Sequence, residues 1–117
     1  MAIFIKVSDP SSFLKDIKAS IDGGSIKEWT YDDDGDITST DEKLKNEAWF
    51  HPYMPVDNIL VLGIVGRKNV MMSMYMYSMY HSEFIKTLLL NYGSQLDDIS
   101  IMPPFSNHFD TQSIEEK

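Results

Sequence analysis

The chain has 117 residues, 43% of them hydrophobic and 24% charged, with a net charge of −8 and no cysteine. That length is one domain with its own core, and the missing cysteine removes disulfides, thiolate metal sites and cysteine nucleophiles together. One arginine and nine lysines make no basic stripe for a phosphate backbone, so nucleic acid is excluded as a partner.

No apolar run approaches the length of a membrane span. The opening MAIFIKVSD lacks the basic region of a signal peptide, so the sequence implies a cytoplasmic protein without a membrane partner.

Ile3, Ile5 and Val7 alternate in a short β-branched run and predict a buried strand. Asp9 reads as a helix N-cap with Pro10 at the first helical position. Phe13, Leu14, Ile17 and Ile21 then recur at helical spacing, and Gly23-Gly24 ends the helix. Ile26 to Tyr31 predicts a second strand. Asp34-Gly35 is a two-residue hairpin signal, with a return strand over Ile37 to Ser39.

Ser39-Thr40-Asp41-Glu42 reads as a capping box that opens a short helix from Thr40 to Glu47. Trp49 to Pro55 holds two prolines and reads as an irregular or edge segment. Ile59 to Val65 predicts a central strand. Val70 to Tyr77 predicts a second long strand, with Met72, Met74 and Met76 on one face and Tyr75 and Tyr77 on the other. Tyr80, Phe84, Leu88 and Tyr92 predict a helix closed by Gly93. Ile99 and Ile101 suggest a last strand, stopped by Pro103-Pro104. Residues 105–117 form a polar, unpatterned tail.

This order predicts an α+β two-layer sandwich in residues 1–104. A mainly antiparallel sheet of five or six strands would carry two main helices on one face.

The functional signal is acidic. From Glu28 to Glu47, eight carboxylates against two lysines leave the segment at −6 of the total −8. Such a local field attracts cations or basic proteins. Two chemistries fit. With Gly35 at the glycine position of an EF-hand loop, Thr30, Asp32, Asp34, Asp36, Thr38 and Asp41 fall at oxygen-ligand positions. Thr30 and Asp41 depart from that pattern, and the flanking strand is not an entering helix. The metal alternative therefore rests on Asp32, Asp34, Asp36 and Asp41.

The other chemistry is a protein interface. There Asp32, Asp33, Asp34, Asp36 and Glu42 steer a basic partner, and Trp29, Tyr31 and Trp49 act as aromatic anchors. A third reading is a small-ligand pocket or enzyme lined by the methionines and tyrosines. Five of the eight methionines fall between Met71 and Met79, a spacing that fits sheet core better than a copper site. His51, His81 and His108 show no metal-ligand spacing. No nucleophile elbow or phosphate loop is present, so neither an enzyme nor a bound cofactor is expected.

Trp29-x-Tyr31-Asp32-x-Asp34-Gly35-Asp36-x-Thr38, then Ala48-Trp49-Phe50-x-Pro52, then Tyr80-His81-x-x-Phe84-Ile85 resembles a set of small uncharacterised acidic bacterial proteins. Some proteins of that size and charge serve as immunity proteins for secreted polymorphic toxins. The resemblance spans Trp29 to Leu90 and implies binding to a basic toxin domain, with no catalytic residue carried over.

Overall fold

In the computed structural model, which describes residues 2–101, six strands and two α-helices follow one another along the chain, with four strands in succession between the helices. They are β1 (Ala2–Lys6), α1 (Pro10–Asp22), β2 (Trp29–Tyr31), β3 (Ile37–Ser39), β4 (Ala48–Tyr53), β5 (Ile59–Gly66), α2 (Met74–Tyr92) and β6 (Asp98–Ile101). The strands form one antiparallel sheet in the order β2-β3-β4-β5-β1-β6. The α+β class is as the sequence predicts. The expected polar tail lies outside the described residues.

The β1–α1 unit follows its local signals. Asp9 is extended, and its carboxylate accepts from the Ser12 amide at 3.1 Å. Pro10 opens the helix, where its missing N–H removes nothing. Phe13 and Ile17 are buried one turn apart. β5 is interior, as predicted, and pairs with β4 on one side and β1 on the other.

The expected strand over Val70 to Tyr77 does not form. Residues from Met74 onward are helical, so α2 begins six residues before the Tyr80 that carries its sequence signature. Ser73 supplies the cap, with its hydroxyl accepting from the Met76 amide at 3.1 Å. The physical reason lies in Tyr77. A strand would place Tyr75 and Tyr77 on one face, whereas a helix turns them about 200° apart. Tyr77 is fully buried beside Tyr80, Phe84 and Leu88, and Tyr75 is 67% exposed. Burying each large side chain of that row contributes about 1.5–3 kcal/mol, which outweighs a period-two alternation of Met and Tyr.

Two further expectations change. The segment over Thr40 to Glu47 is a run of turns and not a helix. Asp41 O accepts from the amides of both Leu44 and Lys45, and Asn46 then reverses the chain with φ 59°. The segment around Pro52 is a true inner strand, β4. Pro52 is tolerated because the β3 ladder reaches β4 only at Ile37↔Phe50, so Pro52 pairs with Leu62 of β5 where β4 is edge-like on its other side.

Strand alternation sorts the side chains. Ile3, Ile5, Leu60, Leu62, Ile64, Phe50, Ile37 and Trp29 join one cluster with Phe13 and Ile17 of α1 and Tyr77, Tyr80, Phe84 and Leu88 of α2. Tyr92 links the helices: its ring meets Phe13 edge-on at 5.1 Å and its hydroxyl donates to Ser20 Oγ at 2.9 Å. The intervening residues Phe4, Trp49, His51 and Val61 point by alternation to the opposite side of the sheet.

Candidate partner-binding surface

The acidic hairpin tip is built by Asp32. Its carbonyl accepts from the Gly35 amide at 2.9 Å, so Asp33 and Asp34 occupy the two central turn positions. Gly35 follows with φ +82°, where an L side chain is strained. The reversal is thus shifted by one residue from the Asp34-Gly35 pair that the sequence suggests. One oxygen of the Asp32 carboxylate accepts from the amides of both Asp34 and Asp36, each at 3.0 Å. That carboxylate organises the loop, while the side chains of Asp33 and Asp34 are exposed.

Asp36 faces inward. It is 2% exposed, and its carboxylate lies 2.5 Å from His51 Nδ1. Such a couple orients an imidazole, and here it also ties the hairpin to β4. Asp41 lies at the other end of the hairpin, where its carboxylate accepts from the Lys43 amide at 2.8 Å. The four carboxylates of the metal alternative therefore do not converge, because three bind backbone amides or a histidine. Among the described residues no group of three or more histidines or carboxylates could hold a metal ion. The capping box is also absent: Ser39 Oγ accepts from the Asp41 amide, and Glu42 pairs with Lys45 at 3.2 Å.

The three aromatic anchors read from the sequence sit differently from that expectation. Trp29 is 2% exposed and Trp49 8%. Trp29 packs edge-on against Phe84 at 4.8 Å and donates its indole N–H to Thr87 Oγ1 at 3.0 Å, so its polar atom is satisfied in the core. Tyr31 is half-buried. Its hydroxyl donates to Asp22 at 2.8 Å and Lys18 Nζ lies 5.3 Å from its ring centre. The Asp22 carboxylate, chiefly through that hydrogen bond, pushes the Tyr31 phenol above its ordinary pKa.

A different aromatic is outside. Tyr75 projects from the first turn of α2, and the neighbouring Met71 and Met74 are exposed as well. Beside Tyr75 runs a groove of about 500 Å³ where α2 meets the ends of β2 and β3. Leu44, Met79 and the edge of Trp29 give it apolar walls, and Tyr75 closes one side. Glu28, Asp41 and Glu83 reach its rim, as do Lys27 and Lys43. Ser73 as an N-cap directly before Met74 and Tyr75 was the available signal, masked by the Met/Tyr alternation. Tyr77, Tyr80, Tyr92 and Met72 fill the core.

Tyr80 braces the Leu44 wall from within the core. Its hydroxyl donates to Leu44 O at 2.5 Å and lies 3.1 Å from the Thr38 hydroxyl, which itself donates to Ala48 O at 2.7 Å. Burial, the largest cause, pushes this phenol up despite those hydrogen bonds. The hydroxyl thereby fixes the turn that carries Leu44 and Asp41.

Comparison with known proteins finds no matching protein family, no matching curated sequence and no matching solved structure. No helix among the described residues is long and apolar enough to cross a membrane.

Proposed function

We propose that this chain is a cytoplasmic protein-binding module for a basic protein, in the specific form of an immunity protein that neutralises a toxin domain. One observation carries the reading: Asp33 and Asp34 stand exposed on the turn of the sheet's edge hairpin, with Glu28, Asp41 and Glu42 exposed at its base. Charges placed at both ends of one edge hairpin accelerate encounter with a cationic surface and disfavour anionic ones. Toxin domains that cleave nucleic acid need cationic sites to hold phosphate, so an acidic blocker is complementary to them.

The reading takes the protein as a two-layer sandwich with both helices on one face of the sheet. The single cluster shared by α1, α2 and the inward side chains supports that arrangement. The β2–β3 hairpin then forms the edge presented to the partner. Asp36 acts here as a support for the hairpin and Trp29 as its core anchor.

The test is isothermal titration calorimetry against the protein encoded by the gene directly upstream. Association is expected, weakened at least tenfold when Asp33, Asp34 and Glu42 are replaced by their amides, and weakened again by added salt. Absence of association, or an affinity indifferent to the triple replacement, sinks the reading.

A further inference from the structure

The acidic hairpin explains attraction but not grip, since exposed charges alone contribute little once two surfaces are in contact. The strongest unexplained feature of the molecular surface lies beside it. Met71 is 70% exposed, Met74 54% and Tyr75 67%, three large apolar side chains at the start of one helix. Isolated exposed apolar residues are ordinary, but Tyr75 lines a groove whose walls continue the same chemistry through Met79 and Leu44. Thioethers and a tyrosine ring make a surface that adapts to the shape of its occupant.

We propose that this groove grips a basic amphipathic segment of the partner. An apolar side chain of that segment enters between Tyr75, Met79 and Leu44, and its lysines or arginines meet Glu28, Asp41 and Glu83. The inference rests on the protein-binding reading and supplies its contact site. Three observations select this occupant.

The groove, at about 500 Å³, has room for more than one side chain and is open to solvent along α2, as a peptide requires. Its apolar walls are rimmed by three carboxylates, the complement of an amphipathic cationic segment. Lys27 and Lys43 share the rim, which leaves it one net negative charge, and the exposed Glu42 beside Asp41 adds another. Tyr75 also offers a ring face to a cation, which lets one residue serve both halves of the ligand.

A second copy of this chain fits less well. It carries the same net charge of −8, and two acidic rims would face each other.

The probe is a synthetic peptide with leucine and lysine at amphipathic helical spacing, titrated into the full chain and followed by amide chemical shifts and fluorescence anisotropy. A leucine–glutamine peptide of the same pattern is the control. The expected shifts lie at Lys27 and Glu28, at Thr40 to Leu44 and at Tyr75 to Glu83. Tyr75→Ala and Glu83→Lys are each expected to weaken the lysine peptide at least tenfold. Both positions are outside the core, so the fold survives either change. The glutamine peptide is expected to bind at least tenfold more weakly than the lysine peptide.

Shifts confined to Asp33 and Asp34, or equal binding of the two peptides, overturn the groove. If Tyr75→Ala leaves affinity unchanged while replacing Asp33 and Asp34 with asparagine lowers it, the groove falls and the acidic hairpin stands. If neither change matters, both readings fall.

Discussion

The Asp36 carboxylate and His51 Nδ1 lie 2.5 Å apart, joining the far side of the hairpin turn to the middle of β4. The carboxylate is almost wholly inside, whereas the imidazole is 40% exposed. Replacing His51 with alanine therefore removes one partner of a buried carboxylate. We expect a loss of about 1–3 kcal/mol, the range for losing a hydrogen bond at a buried polar group. Asp36→Asn should cost a similar amount. Urea midpoints of the two single variants and the double variant test the pair. The double variant should lose clearly less than the sum of the singles, and strict additivity would show that the contact contributes nothing.

Gly35→Ala should destabilise the protein by about 1–2 kcal/mol, because φ there is +82°. A methyl group at that position also falls 2.9 Å from Lys18 Nζ, although a lysine end can swing away. Backbone strain is thus the larger cause. Gly35→Asn, which tolerates the left-handed region, should recover much of the loss. Equal thermal shifts for alanine and asparagine would contradict this account.

Ser73→Ala should cost about 0.5–2 kcal/mol through loss of the α2 cap. The amide resonances of Met74 to Met76 should lose hydrogen-exchange protection first, since the first turn frays without the hydroxyl at 3.1 Å. If residues 70–77 were a strand, the same substitution would leave exchange there unchanged.

Tyr80 makes stability fall at alkaline pH. Burial raises its folded-state pKa above the unfolded value of 10.0. The neutral phenol is the form that the fold retains, so its contribution is complete below pH 10.0 and is lost as pH rises through the folded pKa. Above the unfolded value the denatured chain releases a proton that the native chain keeps, and unfolding stability declines. Tyr80→Phe should flatten this decline while lowering stability at neutral pH, because Leu44 O loses one of its two donors and keeps only the Glu47 amide. Urea midpoints between neutral and strongly alkaline pH, with phenolate absorbance in parallel, test both halves.

Segments whose local chemistry agrees with their tertiary setting were legible from sequence. Asp9-Pro10 and the spacing of Phe13 and Ile17 announce α1, and the continuous apolar run of β5 announces an interior strand. Asp34-Gly35 announces a reversal, although the turn centre falls one residue earlier because the Asp32 carboxylate binds the amides of Asp34 and Asp36. The failures share a cause. Met72 to Tyr77 alternates with period two, yet the core asks for Tyr77 and Tyr80 together, which only a helix provides. Pro52 argues against an inner strand until the short reach of β3 is known. The candidate site suffered most. Trp29 goes inside because Thr87, 58 residues away, accepts its N–H. Asp36 goes inside because His51 meets it, and no local pattern encodes either partner.

The position of β1 bears on how the chain reaches this fold. The first of the six strands in chain order lies between β5 and β6, which both follow it by more than fifty residues. The polar ties of α2 are equally distant, joining residues 42 apart at Thr38 and 72 apart at Ser20. Loop-closure entropy must be overcome before such pairings bring any gain, so folding should be slow relative to helical proteins of this size. A chain emerging from the ribosome can make α1 and the β2–β3 turn early. It then has to keep one edge of β1 unpaired until β5 has emerged and the other until residue 101 has cleared the exit tunnel. Its vulnerable interval is therefore its own synthesis, when Ile3 and Ile5 have no strand beside them.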